Sequence, residues 1–211
     1  MNLEEAVEIA VAQLAVALQA RFPEDPLGVL RGDLGLTVQP AEHLTSRADG
    51  GACDGMSFLR DGVIFFAPSP QSRRQNFTLG HELGHWLVIE SDAVLDWVAD
   101  QADSPRVLET LCDRIAQRLL LPESSVDAVF PTSTPVAAGH VLELFNASQA
   151  SRPVCAIALA RRLPGLGAVV IIDRSAAAVP APACAPIRRR GGLWSFPGPV
   201  KPSRVGTPLT R

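Results

Sequence analysis

Two histidines and a glutamate stand close together in His81-Glu82-Leu83-Gly84-His85. On an α-helix, residues four apart share a face, so His81 and His85 can offer two imidazoles to one point. That spacing is how a helix holds a zinc ion. Glu82 leaves such a helix about 100° round from His81. It is badly placed as a ligand beside the histidines, but it can reach a water at the metal, where a general base belongs. The competing reading is structural: Leu83, Trp86 and Leu87 make an ordinary core stripe, and histidines fall on helix faces by chance. A metal site needs a third protein ligand, and the rest of the chain must supply it.

A second helix is expected from Ser104 to Pro122. Ser104 suits the N-cap and Pro105 the first helical position. Val107, Leu108, Leu111, Cys112, Ile115, Leu119 and Leu120 recur at helical spacing. Glu109 and Asp113 share one face, set between apolar residues where an unpaired carboxylate is destabilising. With a metal, Glu109 becomes the third ligand, and Asp113 accepts a hydrogen bond from the far nitrogen of a ligand histidine. Without one, the two are a solvated pair with Asp113 facing Arg106 or Arg114. The metal reading is preferred because it explains both helices together.

The run Phe77-Thr78-Leu79-Gly80-His81-Glu82-Leu83-Gly84-His85, then Glu109-Thr110-Leu111-Cys112-Asp113 and the Leu-Leu-Leu-Pro ending at Pro122, resembles the ImmA/IrrE metallopeptidases. The resemblance covers about residues 1–162 and is specific over those two blocks. It implies zinc (Zn2+) on His81, His85 and Glu109, with Glu82 as the catalytic base. It further implies a substrate, a helix-turn-helix repressor, whose cleavage releases genes of a prophage, a mobile element, a DNA damage response or antiphage defence.

The expected fold class is α+β: a zincin-like, gluzincin-type helical core with a small antiparallel sheet. Three regions are expected, a metallopeptidase core over 1–130, a helix-turn-helix-like extension over 131–163, and a basic β-containing region over 164–211. A first helix spans 3–21. Glu4, Glu5 and Glu8 replace the positive start of a signal peptide, and the apolar stretch is too short to span a membrane, so a cytoplasmic protein is expected. The cysteines, Cys53, Cys112, Cys155 and Cys184, are scattered and read as reduced thiols. Residues 34–39 read as a short strand. Asp61-Gly62 between 56–60 and 63–67 reads as a hairpin, and 63–67 is expected as the edge strand that holds a substrate as an added strand. Cys53, in a Gly-rich loop before that hairpin, is either an incidental loop residue or a regulatory thiol that can occupy the open zinc position. Residues 90–103 form a short helix or lid, with Trp97 in the core. Beyond Pro122 come a helix to Phe130, a helix over 136–145 and another over 151–163. Residues 167–173 read as a buried strand.

Charge divides unevenly. Residues 1–150 hold 9 Arg against 21 acidic residues, whereas 151–211 hold 9 Arg and 1 Lys against Asp173 alone. Such asymmetry fits a nucleic-acid-facing C-terminal part. Arg188, Arg189 and Arg190 supply phosphate forks, and Trp194 can stack on unpaired bases. Single-stranded DNA is then the expected activator; the alternative is a basic tail that docks on the acidic half.

Together these readings describe a zinc metalloendopeptidase. A tetrahedral oxyanion needs a donor besides zinc. The chain has no tyrosine, so His140, Arg73 or zinc alone must serve. The competing class is a non-catalytic zinc-containing DNA or ligand sensor that regulates transcription through a partner. Glu82 speaks against it, because a structural site has no use for a base.

Overall fold

The computed structural model describes residues 1–41, 44, 54–69, 72–131 and 136–172. Helix α1 (Leu3–Ala12) begins at a capping box, in which Asn2 accepts from the Glu5 amide and Glu5 accepts from the Asn2 amide. Ala6, Val7, Ala10 and Val11 are its buried stripe. The single helix expected over 3–21 breaks at 13–15, and α2 (Val16–Arg21) follows. The Gln19 side-chain amide donates to the carbonyls of Val11 and Leu14, taking up acceptors that the break removes from the helical ladder.

A helical segment not foreseen in the sequence comes next: α3 (Pro26–Gly28), capped by Asp25, runs into a π-helical turn over Val29–Asp33. The first strand, β1 (Thr37–Pro40), begins three residues later than expected. β2 (Gly55–Phe58) and β3 (Val63–Phe66) form the expected hairpin, closed by a 3-10 turn and by Gly62 at φ +62°, a conformation in which glycine is unstrained. Two expectations about the sheet are corrected. The sheet is mixed, not antiparallel, because β1 pairs parallel with β3. Its order is β1-β3-β2, so β3 lies in the centre and β2 is the edge beside the helices.

Helix α4 (Ser72–Ile89) buries Leu79, Leu83, Leu87 and Val88. After it, α5 (Asp92–Ala99) holds Trp97 against the core, as expected. Helix α6 (Ser104–Leu120) buries Leu111, Cys112, Ile115, Ala116, Leu119 and Leu120. Its N-cap is Asp103, which accepts from the Arg106 amide; Ser104 is already in the first turn with Pro105. Ion pairs Glu4–Arg114 (2.5 Å) and Glu8–Arg118 (3.1 Å) tie α1 along α6.

The remaining helices are α7 (Glu123–Val129), α8 (Gly139–Ala147) and α9 (Arg152–Arg161). α8 begins three residues later than expected. Leu144, Ala150, Val154 and Cys155 join the same core as α1, α4 and α6. Cys112 and Cys155 are buried, unpaired thiols. The buried strand expected over 167–173 is absent from 167–172. Val170 is 69% and Ile172 90% exposed, and among the described residues no strand pairs with this stretch to support it. No helix among the described residues is long and apolar enough to cross a membrane.

Candidate metal centre

The site begins with how closely two helices can approach. A Cβ added at Gly84 of α4 would stand 3.0 Å from the Cα of Cys112 on α6, and 3.2 Å from its Cβ and carbonyl oxygen. One turn away, a Cβ at Gly80 would stand 3.2 Å from the Cβ of Ala116. Small residues four apart on each helix therefore let the two backbones nearly touch. That approach brings short side chains from both helices to one point.

The point is occupied by His81, His85 and Glu109, each of which offers one ligand atom within 4.8 Å of the others. The two histidine Nε2 atoms are 3.2 Å apart. Oε2 of Glu109 lies 3.4 Å from Nε2 of His81, and its Oε1 lies 3.7 Å from Nε2 of His85. Ligands on a tetrahedral zinc at ~2.1 Å lie ~3.4 Å from one another. The two imidazole nitrogens are at that spacing and each faces one oxygen of the Glu109 carboxylate at 3.4 or 3.7 Å, so the nitrogen and oxygen donors present fit this ion.

Asp113 sits one turn beyond Glu109, and its carboxylate is 2.9 Å from Nδ1 of His81. This contact fixes which nitrogen of His81 faces the cluster. It also sets the ring's charge. Burial works against protonating His81, but the hydrogen bonds to Asp113 and Glu109 and the charges of Asp113 and Glu82 prevail, so its pKa is raised to about 10. Burial, followed by the charge on His81, lowers the pKa of His85. One proton is thus held among three carboxylates. One premise of the sequence argument is corrected here. Glu109 and Asp113 are about half exposed, so they line the open rim of the site and are not enclosed by apolar neighbours.

Glu82 is only 5% exposed. It lies under the edge strand: a Cβ at Gly55 of β2 would meet its Oε1 at 2.5 Å, its Cγ at 2.9 Å and the Cγ2 of Thr78 at 2.8 Å. Arg74 on α4 pairs with Asp54 at 2.6 Å, fastening the entry of β2 over the helix. Gly55 escaped the sequence reading. The signal available was a glycine at the start of a strand, which marks close approach of another group. The thiol of Cys112, though near the cluster, is pushed up by burial and then by the charges of Glu109, Glu82 and Asp113. Among the described residues it is not one of the side chains whose ligand atoms converge on the cluster.

Other expected residues lie elsewhere. His140 accepts from the Ala137 amide through Nδ1 and packs its ring on Phe130, 4.8 Å between centroids. The structure does not bring it to the cluster. The guanidinium of Arg73 lies 3.8 Å over the ring of Phe145 and donates to the Phe145 carbonyl, so it is committed to α8. Asp113 faces His81, while Arg114 pairs with Glu4. Cys53, Arg188, Arg189, Arg190 and Trp194 lie outside the described residues.

Residues 38–150 match the peptidase M78 family, described as the IrrE N-terminal-like domain. The chain is 30% identical over 115 residues to the radiation response metalloprotease IrrE of Deinococcus radiodurans, covering 53% of this chain and 34% of that protein. It is 32% identical over 130 residues to the protein of that name from Deinococcus deserti, covering 59% and 46%. The chain thus matches less than half the length of either relative.

Proposed function

The chain belongs to the IrrE N-terminal-like family of metallopeptidases, and on that premise we propose that it is a zinc-dependent endopeptidase of zincin-like fold that cuts a helix-turn-helix repressor at one segment. The observation that carries the reading is the convergence of His81, His85 and Glu109, one ligand atom from each within 4.8 Å of the others, beside a buried carboxylate that is not part of the cluster. A site built only for structure fills its coordination sphere with protein ligands and needs no such base.

Zinc on those three residues would supply a Lewis acid and a bound water of lowered pKa. The chain's own groups do the rest. Asp113 holds the Nδ1 proton of His81 and keeps Nε2 turned to the cluster. Glu82 takes a proton on its carboxylate from the attacking water and delivers it to the leaving amine nitrogen. The bare α-carbon of Gly55 leaves the Glu82 carboxylate its position. The edge strand β2 is where an extended substrate adds as a further strand.

The test mixes the purified protein with the helix-turn-helix protein encoded beside its gene, with and without zinc and single-stranded DNA. Glu82→Gln serves as control, since it keeps the metal and loses the base. One cut made only by the wild type is expected. Zinc bound, the two proteins associated and no cut under any condition would overturn the peptidase reading in favour of a sensor.

A further inference from the structure

The two faces of the sheet differ. Gly55 and Ser57 of β2 pair with Phe66 and Ile64 of β3, and this face is turned to α4, with Ile64 and Phe66 buried. Met56 and Phe58 pair with Phe65 and Val63 on the opposite face. There Met56 is 43% and Phe58 49% exposed, and the ring of Phe58 stands edge-on to that of Phe65 with centroids 5.9 Å apart. Outward-facing positions on an edge strand are ordinarily polar. Here they are apolar, and they lie on the strand whose first residue covers Glu82.

The backbone of β2 decides what such a surface can take. The Ala67 amide donates to the Asp54 carbonyl at 2.7 Å. In an antiparallel ladder hydrogen-bonded pairs alternate, so Met56 and Phe58 spend their backbone groups on β3, whereas the N–H and C=O of Ser57 turn to the outer edge. Among the described residues no strand occupies that edge. A peptide added there aligns its side chains with those of β2, each on the same face as its partner. The residue opposite Gly55 faces Glu82. The residues one and three positions further along face Met56 and Phe58.

Resting on the peptidase reading, we infer that Met56 and Phe58 select the substrate. The cleaved segment is extended and carries apolar side chains at two positions spaced by two, both on the same side of the residue that faces Glu82. These side chains close over Met56 and Phe58 and remove that apolar surface from water. Polar residues at those two positions would leave it exposed and are selected against.

The test uses the zinc-loaded full chain in two ways. Wild type is incubated with a proteome-derived peptide library and the new ends are sequenced. Glu82→Gln is used to retain peptides from a random displayed library, which reads binding without turnover. Both are expected to enrich apolar residues at two positions spaced by two, about tenfold over polar ones. Phe58→Glu is expected to change the outer of the two preferences to Lys or Arg and leave the inner one. Phe58→Leu is expected to keep both, which covers a folding defect in the charged variant; zinc content and melting temperature are measured for each. Cutting or retention without the spaced preference, or an unchanged preference in Phe58→Glu, overturns the assignment and leaves the peptidase reading standing. No cut and no retained peptide removes the peptidase reading and this inference with it.

Discussion

The proton on His81 gives the metal centre a pH dependence whose sign can be worked out. Its pKa is raised from 6.5 to about 10, so its contribution to metal-free stability is complete below pH 6.5 and is lost as pH rises through about 10. His85, lowered from 6.5, works in the opposite sense: its contribution is present above pH 6.5 and is lost as pH falls. Zinc needs both rings deprotonated toward the cluster. Near neutral pH, zinc binding should therefore release about one proton, and affinity should fall about tenfold for each unit the pH is lowered. Calorimetry in buffers of different ionisation enthalpy measures the release. Asp113→Asn removes the strongest stabiliser of the doubly protonated His81 ring, so the release from Nε2 should shrink and zinc should bind about 10- to 100-fold more weakly; an unchanged release would refute the assignment. Gly55 makes a second prediction at this scale. Gly55→Ala sets a Cβ 2.5 Å from Oε1 of Glu82 and must displace a buried carboxylate. The turnover rate should drop by about 10²-fold, the lower end of what a general base contributes, while zinc content stays at one per chain. Loss of zinc along with the rate would make Gly55 a structural residue of the metal site.

Between elements, the decisive contact is the crossing of α4 and α6. An exposed helical Gly→Ala exchange gains about 1 kcal/mol from helix propensity. At Gly80, itself buried, the new Cβ would meet the Cβ of Ala116 at 3.2 Å and its Cα at 3.3 Å, slightly looser than at Gly84, so Gly80→Ala should be mildly destabilising. At Gly84 it would meet the Cα of Cys112 at 3.0 Å and its carbonyl at 3.2 Å, which only movement of α6 relieves. Such overpacking costs about 1–3 kcal/mol and carries Glu109 away from the histidines. Thermal unfolding and zinc titration should rank Gly84→Ala well below Gly80→Ala; equal behaviour would mean that the close approach does not set the ligand triangle. This crossing also marks how far the sequence could be read. The 3.6-residue period gave α4 and α6, and the i, i+4 spacing placed His81 with His85 and Glu109 with Asp113. The glycines stood in the same motif, yet nothing in a single sequence says which helix a glycine will face. The hairpin was legible from Asp61-Gly62. The strand order was not, because pairing of β1 with β3 depends on contacts far apart in the chain. The strand expected over 167–173 is absent from 167–172 for a related reason: an apolar run becomes a buried strand only where a neighbouring strand receives it. His140 and Arg73 were named by side-chain chemistry alone, and packing on Phe130 and Phe145 decided their places.

Across the whole molecule, the fold changes how the charge asymmetry should be counted. Three basic residues of the C-terminal part are already engaged in the described structure: Arg161 with Glu4 at 3.0 Å, Arg162 with Glu123 and Asp127, and Arg152 near the Phe145 ring. They belong to the packing of α9 and are poor candidates for holding phosphate. What remains is residues 163–211, which hold six Arg and one Lys against Asp173. If this stretch binds single-stranded DNA, the electrostatics limit the strength of the effect. Four phosphate contacts give a slope of log K against log salt of about −3, so binding should weaken about 60-fold between about 50 and about 200 mM salt. Replacing Arg188, Arg189 and Arg190 together by alanine should flatten the slope to about −1. Trp194→Ala should weaken binding about 5- to 100-fold at every salt concentration with the slope unchanged, because stacking displaces no counterion. Arg161→Ala should leave the slope alone and instead lower the melting temperature through its lost partner Glu4. Fluorescence anisotropy with a labelled oligothymidylate separates these outcomes. A slope that responds to Arg161 and not to Arg188, Arg189 and Arg190 would move the nucleic-acid surface onto the helical part of the fold, and no binding at the lowest salt would remove DNA as the activator.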